Sequence, residues 1–115
     1  MHRLLLVLCC FLLLSQPARS EKGGAMGNGV VSCAEFADQY NTSPRIVETA
    51  YFAWAQGFMS GMNAFASGAH MSPRELRGMS SEAQERFIRA YCASHPLEEY
   101  FRAVLKLYGS LPFEK

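Results

Sequence analysis

The feature of this sequence that most constrains its fold is a stretch of twenty-one residues, 49–69, without a formal charge (TAYFAWAQGFMSGMNAFASGA). The stretch is too apolar to stand alone in water. It also holds several polar side chains, which argue against a helix that spans a membrane. We therefore expect a buried helix in a small bundle, and the remaining helices must cover it.

At 100° per residue, the side chains of this predicted helix sort into three stripes. The first is a polar seam of Thr49, Gln56, Ser60, Asn63 and Ser67. The second has almost no side chains and comprises Ala50, Gly57, Gly61, Ala64 and Gly68. The third is a broad apolar face of Val47, Tyr51, Trp54, Phe58, Met62 and Phe65.

The glycine stripe predicts that another helix, of the same chain or of a partner, packs closely over Gly57 and Gly61, a spacing that also occurs in membrane helix dimers. The polar seam has three open uses: Gln56, Ser60 and Asn63 could face solvent, hydrogen-bond inside the protein, or face a partner. Residues predicted for the core across all helices are Trp54, Phe58, Phe65, Phe87, Tyr91, Phe101 and Val104.

Capping signals place the other helices. Ser32 followed by Glu35 has the spacing of a capping box, so a first helix is expected at 33–40. Ser43-Pro44 opens the central helix, 44–67. Further helices are predicted at 73–78 (short), 82–94 and 97–108. No strand pattern is visible, so the fold class is all-α: four helices plus a short one.

The N-terminus predicts export. A basic start precedes an eleven-residue apolar run (LLLVLCCFLLL), and Ala18 and Ser20 are small residues suited to a signal peptidase. We expect a signal peptide over 1–20 and a periplasmic or secreted protein, with an uncleaved anchor as the alternative. Residues 21–31 hold four glycines and predict a flexible tail. The helical domain would then span 32–111, with a short tail at 112–115.

Removing the signal leaves two cysteines, Cys33 and Cys92, in a compartment where thiols pair. A bond between them would close a loop of about 60 residues, which the chain-entropy treatment values at roughly 4 kcal/mol. For so small a domain, that is a large share of the net stability.

Candidate chemistry is sparse. Cys92 and His95 could be drawn as nucleophile and base, but a disulfide at Cys92 is the stronger interpretation. A soft Cu(I) site could be drawn from Met59, Met62, His70 and Met71, although methionines at helical spacing are more often core residues. We expect no enzyme, cofactor or metal. The formal net charge of +1 gives no reason to expect a nucleic acid, and no stable membrane insertion is expected after cleavage of the signal.

Three segments together resemble a known group of proteins: SCAEF at 32–36, WAQGFMSG at 54–61, and YCASHPL at 91–97 leading into YFRAV at 100–104. The sequence resembles the HdeA-type periplasmic acid-stress chaperones. It is also similar to the small periplasmic immunity proteins that neutralise type VI secretion amidases. The likeness covers 32–111, nearly the whole predicted mature chain.

The resemblance implies that Cys33 and Cys92 form a disulfide between helices, and it carries over no catalytic residue. It implies a non-enzymatic protein-binding domain, an acid-stress chaperone in the first instance and an amidase inhibitor as the alternative. A protein partner or client is expected, and a homodimer is left open.

Overall fold

The computed structural model describes residues 24–115, so the predicted signal peptide and residues 21–23 of the predicted tail lie outside the described residues. The described chain contains a short 3-10 helix, Gly27–Val30, and four α-helices. These are α1 (Cys33–Thr42), α2 (Pro44–Gly68), α3 (Ser81–Ser94) and α4 (Tyr100–Ser110). Strand-type pairing within 24–115 is limited to two isolated bridges, Ser32 with Glu99 and Arg74 with Phe113. The predicted all-α class is confirmed.

The helices begin where the capping residues are. The Glu35 backbone N–H donates to Ser32 Oγ at 3.1 Å, which satisfies one of the free N–H groups at the start of α1. Ser80 does the same for α3, accepting from the Ala83 N–H at 3.2 Å. At the start of α2 the fixed φ of Pro44 suits the first turn.

An aromatic cluster forms the centre of the core where α1, α2 and α4 meet. The ring centroids of Phe36 and Tyr51 lie 4.8 Å apart, those of Phe36 and Tyr100 4.9 Å, and those of Tyr51 and Tyr100 5.0 Å. Tyr100 and Phe36 are fully buried. Burying each such ring contributes about 1.5–3 kcal/mol. Three helices are therefore fixed to one another by three side chains.

A disulfide between Cys33 and Cys92 links α1 to α3 beside this cluster. The first turn of α1 is also tied to the loop before α4. The Cys33 N–H donates to the Glu98 carbonyl at 2.7 Å, and the Ala34 N–H donates to the Pro96 carbonyl at 2.9 Å. α4 consequently begins at Tyr100 and not at residue 97 as predicted, because the carbonyls just before it are used by α1.

The prediction of a flexible tail is wrong for residues 27–31. The Trp54 indole N–H donates to the Met26 carbonyl at 2.9 Å, and the Tyr100 N–H donates to the Val31 carbonyl at 2.8 Å. Gly29 lies so close to the indole ring of Trp54 that a Cβ atom would overlap it. The glycines that suggested a tail therefore permit close approach to a tryptophan.

The predicted short helix at 73–78 is absent, and this stretch is a loop paired with the C-terminus. The Glu75 N–H donates to the Pro112 carbonyl at 2.8 Å, and the Glu114 N–H donates to the Pro73 carbonyl at 3.0 Å. The backbone groups that a helix would pair internally are paired here with a second segment. Residues 112–114 are therefore part of the fold, not a tail.

The buried face of α2 is turned by about one residue from the predicted one and is formed by Tyr51, Phe52, Ala55, Met59 and Ala66. Among the predicted core residues, Val104 is fully buried. Four others are half-buried and pack against the core cluster: Trp54, Phe58, Phe87 and Tyr91. Phe101 is half-buried on the outer side of α4. The prediction for Phe65 is wrong, because 72% of its surface is exposed.

The inner face of α3 is also turned, and comprises Gln84, Ile88 and Cys92 in place of the predicted core residues Phe87 and Tyr91. The disulfide explains the difference, since Cys92 must face α1 and residues four and eight positions earlier share its side.

Within residues 24–115, none of the helices combines the length and apolarity that crossing a membrane requires.

Candidate functional site

The candidate site is an apolar groove along the exposed side of α2, hereafter the α2 groove. It is open to solvent and is bounded by α2, by the loop after it, by Tyr108 of α4 and by the C-terminal segment. Its lining comprises Gly57, Phe58, Gly61, Met62, Phe65, Ala66, Met71, Ser72, Arg74, Tyr108 and Phe113.

The floor of the groove includes Gly57 and Gly61 of the glycine stripe. A Cβ atom on Gly57 or Gly61 would meet nothing within 4 Å, so no helix of the described chain packs over them. Within residues 24–115 no helix makes the predicted close contact at Gly57 and Gly61, and close packing by a helix of a partner stays a prediction. The aromatic cluster and the disulfide turn the opposite side of α2 toward the core, which leaves the glycines outside.

Large apolar side chains flank this floor and are exposed. Phe65 is 72% exposed, Met71 59% and Phe113 56%. Single exposed apolar residues are ordinary, but several around one concave surface indicate an interaction site.

The rim of the groove is held by Asn63. Its side-chain amide donates to the Arg74 carbonyl at 2.8 Å, and its amide oxygen accepts from the Arg74 N–H at 2.9 Å. The same oxygen accepts from the Tyr108 hydroxyl at 2.8 Å. Asn63 is thus hydrogen-bonded inside the protein, which is one of the three uses that the sequence left open, and it does not face a partner.

Among the described residues, Arg74 is the one charged residue that lines the groove, and its guanidinium already has contacts within the chain. It donates to the Leu111 carbonyl at 2.9 Å and lies 3.8 Å from the centroid of the Phe113 ring. These two contacts hold the guanidinium in place, and it keeps its positive charge and its other N–H donors. The groove therefore offers a largely apolar surface with one positive charge, that of Arg74.

The other two residues of the polar seam lie elsewhere. Gln56 and Ser60 are exposed and border a separate cleft between α2 and the start of α3. Gln84, on the far wall of that cleft, is buried and donates to the Leu76 and Met79 carbonyls, both at 2.8 Å. A partner-facing role for Gln56 and Ser60 stays a prediction.

The residues of the alternative catalytic and metal sites are not arranged for those roles. Cys92 is in the disulfide, and the His95 ring stacks on Tyr91 at 4.0 Å with Nδ1 2.9 Å from the Tyr91 carbonyl. Within residues 24–115, no group of three or more His, Cys, Asp and Glu side chains converges as a metal site would require.

The four residues of the hypothetical Cu(I) site do not all lie in one place. Met59 is buried in the core at 1% exposure, whereas Met62 and Met71 line the α2 groove. His70 is exposed in the loop after α2 with a φ of 55° and does not line the groove. The methionines therefore serve packing and apolar surface.

An ion pair between Glu48 and Arg89 connects α2 to α3 away from the groove. Burial raises the pKa of Glu48 above its usual value, and the Arg89 charge only partly offsets this. Burial also raises the pKa of Tyr100, whose hydroxyl has no hydrogen-bond partner within residues 24–115. These groups affect how the stability of the fold depends on pH, and they lie outside the groove.

Sequence reasoning missed the C-terminal segment, Arg74 and the rim role of Asn63. No local pattern marks Arg74, because its hydrogen-bond partners are distant in the sequence. Asn63 lies 11 residues before it, and Leu111 lies 37 residues after it. The groove could have been predicted from α2, which carries both an apolar stripe and a stripe of small residues. One bundle cannot bury every side of one helix, so part of this surface had to stay exposed.

No protein-family model matches this chain, and comparison with curated proteins and with solved structures gives no significant match. The likeness to HdeA-type chaperones and to amidase immunity proteins therefore stays a prediction from sequence.

Proposed function

We propose that this chain is a non-enzymatic protein-binding domain of the periplasm or secreted compartment, and that the α2 groove is its binding surface. The observation that carries the proposal is a preformed apolar groove with a 72%-exposed Phe65 beside a floor of glycines. Aromatic anchors in pockets supply much of the energy of protein interfaces. An unfolded apolar segment or an apolar helix is the kind of ligand that fits.

The first use of such a surface is as a chaperone, in line with the likeness to HdeA-type proteins. A largely apolar groove with a single charged residue can bind many client sequences, because it imposes few hydrogen-bond requirements. Exposed Met71 and the half-buried Met62 add adaptable contact surface.

The chaperone hypothesis is tested with Phe65→Ser against Leu97→Ser. Both residues are exposed, at 72% and 95%, and only Phe65 lines the groove. We expect the wild type to suppress aggregation of an unrelated client protein at pH about 2–3 and at pH about 7, with a larger effect where acid exposes more apolar surface. Phe65→Ser should lose most of the protection and Leu97→Ser should keep it. Equal protection by both variants would contradict a role for the groove.

The second candidate is an inhibitor of a type VI secretion amidase. It is favoured by one observation, that the groove is open in the folded chain and so needs no acid trigger. We expect a stoichiometric complex with a cognate amidase at neutral pH, measured by calorimetry, that Phe65→Ser weakens at least tenfold. Protection of clients without binding of any such amidase would favour the chaperone.

The compartment is tested by the intact mass of the secreted protein with and without reductant. Cleavage after Ser20 and a Cys33–Cys92 bond together predict a chain that starts at Glu21 and gains two protons on reduction. An uncleaved chain, or no change on reduction, would contradict export with oxidation.

A further inference from the structure

The cleft between α2 and the start of α3, hereafter the α2–α3 cleft, differs in chemistry from the α2 groove. It has a volume of about 430 Å³, which lies within the range of about 300–1,000 Å³ that is usual for ligand sites. We propose that this cleft binds the carboxyl end of a peptide, through the free carboxylate and a backbone N–H of its last two residues. This is a second site, and it does not rest on the function proposed for the α2 groove.

The hydrogen-bond acceptor of the cleft is the side-chain oxygen of Gln84. Gln84 is 5% exposed, and its Nε2 donates to the Leu76 and Met79 carbonyls, both at 2.8 Å. These bonds fix the amide, because the reverse orientation would place Oε1 against two carbonyl oxygens. Oε1 accepts no hydrogen bond within residues 24–115, and the fully enclosed side-chain atoms that lack a partner there belong to Glu48 and Tyr100. Gln84 Oε1 is therefore reached from the cleft, where it requires an N–H donor.

The other end of the cleft suits an anion. The Arg77 guanidinium is exposed and makes neither an ion pair nor a hydrogen bond within residues 24–115. Ser80 accepts from the Ala83 N–H at the start of α3, and the earlier N–H groups of that helix have no partner inside it. An arginine and a helix N-terminus both attract a carboxylate. Among the described residues, no Asp or Glu lines the cleft to oppose this.

The cleft also offers apolar surface between these polar groups. Met59 forms part of its floor at 1% exposure, and Leu76 and Met79 are half-buried beside it. The ligand must then combine a carboxylate, an N–H donor and an apolar side chain. Inorganic phosphate has no N–H donor or apolar part, and a fatty acid has no N–H donor. The last residues of a peptide carry all three groups, and capture of a terminal carboxylate is a known mode of peptide recognition.

The wall formed by α2 gives the peptide room to continue. Gln56 and Ser60 are exposed and line this side of the cleft with uncharged groups that can both donate and accept. The backbone of an extended peptide presents the same two kinds of group. The site therefore recognises the end of the peptide by charge and the residue before it by backbone hydrogen bonds.

The test is a titration of the oxidised, ¹⁵N-labelled protein with acetyl-Ala-Leu from about 0.05 to 10 mM, a range that suits weak binding. We expect the side-chain amide signals of Gln84 to shift and to saturate. The ligand is varied first, because substitution of Gln84 would also free the Leu76 and Met79 carbonyls. The C-terminal amide of the same dipeptide should bind at least fivefold more weakly, and acetyl-Ala-(N-methyl)Leu should not bind.

Two pairs of variants locate the site on the protein. Ser60→Phe should abolish binding by filling the cleft, and Ser67→Phe is its control, since both serines are exposed on α2 and only Ser60 lines the cleft. Arg77→Gln should weaken binding about threefold, as expected for an exposed ion pair. Arg45→Gln is its control, because Arg45 is an exposed arginine that lies outside the cleft.

The outcomes separate the sources of the ligand and the two sites. Binding of the same two residues at the free C-terminus of a folded carrier would extend the site to protein ends, and binding of the free dipeptide alone would restrict it to short peptides; both support the proposal. Absence of a shift at Gln84, equal binding of acid and amide, or full binding by Ser60→Phe would each overturn it. Phe65→Ser should bind the dipeptide like the wild type, so failure of the α2 groove leaves this site intact.

Discussion

The two ends of the molecule are built by different means. At one end, the disulfide and the cluster of Phe36, Tyr51 and Tyr100 fix α1, α2 and α4 through buried covalent and apolar contacts. At the other, the loop after α2 and the C-terminal segment are held around the groove by the hydrogen bonds of Asn63 and Arg74. The first end contributes most of the stability, and the second leaves apolar surface exposed. The groove can stay exposed to bind a partner because the core at the first end stabilises the fold without it.

The largest expected contrast compares one residue type at both ends. Phe36→Ala should lower the free energy of unfolding by about 3–5 kcal/mol, because it removes a buried ring from the cluster. Phe65→Ala should change it by less than about 0.5 kcal/mol in dilute protein, since Phe65 is exposed. Urea denaturation of both variants measures this, and similar losses would mean that the ends are not different.

Removing the disulfide should have the next largest effect. The double variant Cys33→Ala, Cys92→Ala should lose about 4 kcal/mol, because the unfolded chain regains the freedom of a loop of 59 residues. Reduced wild type is the control and should lose a similar amount. If both remain as stable as the oxidised protein, the first end does not depend on the bond.

Breaking the rim should cost less. Asn63→Ala removes three hydrogen bonds, two of them to the Arg74 backbone, and we expect a loss of about 2 kcal/mol. Gln56→Ala, on an exposed side chain of the same helix, should stay within about 0.5 kcal/mol. Hydrogen exchange should quicken at Arg74 and Glu75 in Asn63→Ala only. Unchanged exchange there would show that Asn63 does not hold the loop.

Alkaline pH should act through the first end. Burial raises the pKa of Tyr100, so the folded chain keeps a proton that the unfolded chain releases above pH of about 10. Its contribution is therefore fully present below that pH and is lost as the pH rises, by about 1.4 kcal/mol per unit.

Tyr100→Phe should flatten this decline, measured by denaturation at pH of about 9 to 11. It should also be neutral or stabilising at pH of about 7, because a buried hydroxyl without a partner is removed. Tyr40→Phe, on a half-buried ring, serves as the control. The same pH slope in Tyr100→Phe and wild type would contradict the assignment.

The smallest contrast concerns two glycines. Gly57→Ala should raise stability by about 1 kcal/mol, since its side chain meets open space and alanine favours a helix. Gly29→Ala should lower it by at least as much, because its Cβ would overlap Trp54. Thermal unfolding measures both. If Gly57→Ala is destabilising in dilute protein, then the floor of the groove is not open.

The sequence by itself determined the local features. Ser32, Pro44 and Ser80 set the helix starts because a cap needs only residues within one turn. The cysteine count pointed to the pair that is bonded, since only two cysteines follow the predicted signal. The all-α class followed from periodicity.

Only the tertiary structure decided how α2 is turned. Its polar, glycine and aromatic stripes left more than one side that could be buried, so nothing local fixed its rotation. The disulfide and the aromatic cluster, formed between residues far apart in the chain, settled it. As a result, one side of α2 is buried, with Tyr51, Phe52, Ala55 and Met59. The other side is exposed, with Gly57, Gly61 and Phe65. The uncharged helix is therefore the centre of the core on one side and an apolar groove on the other.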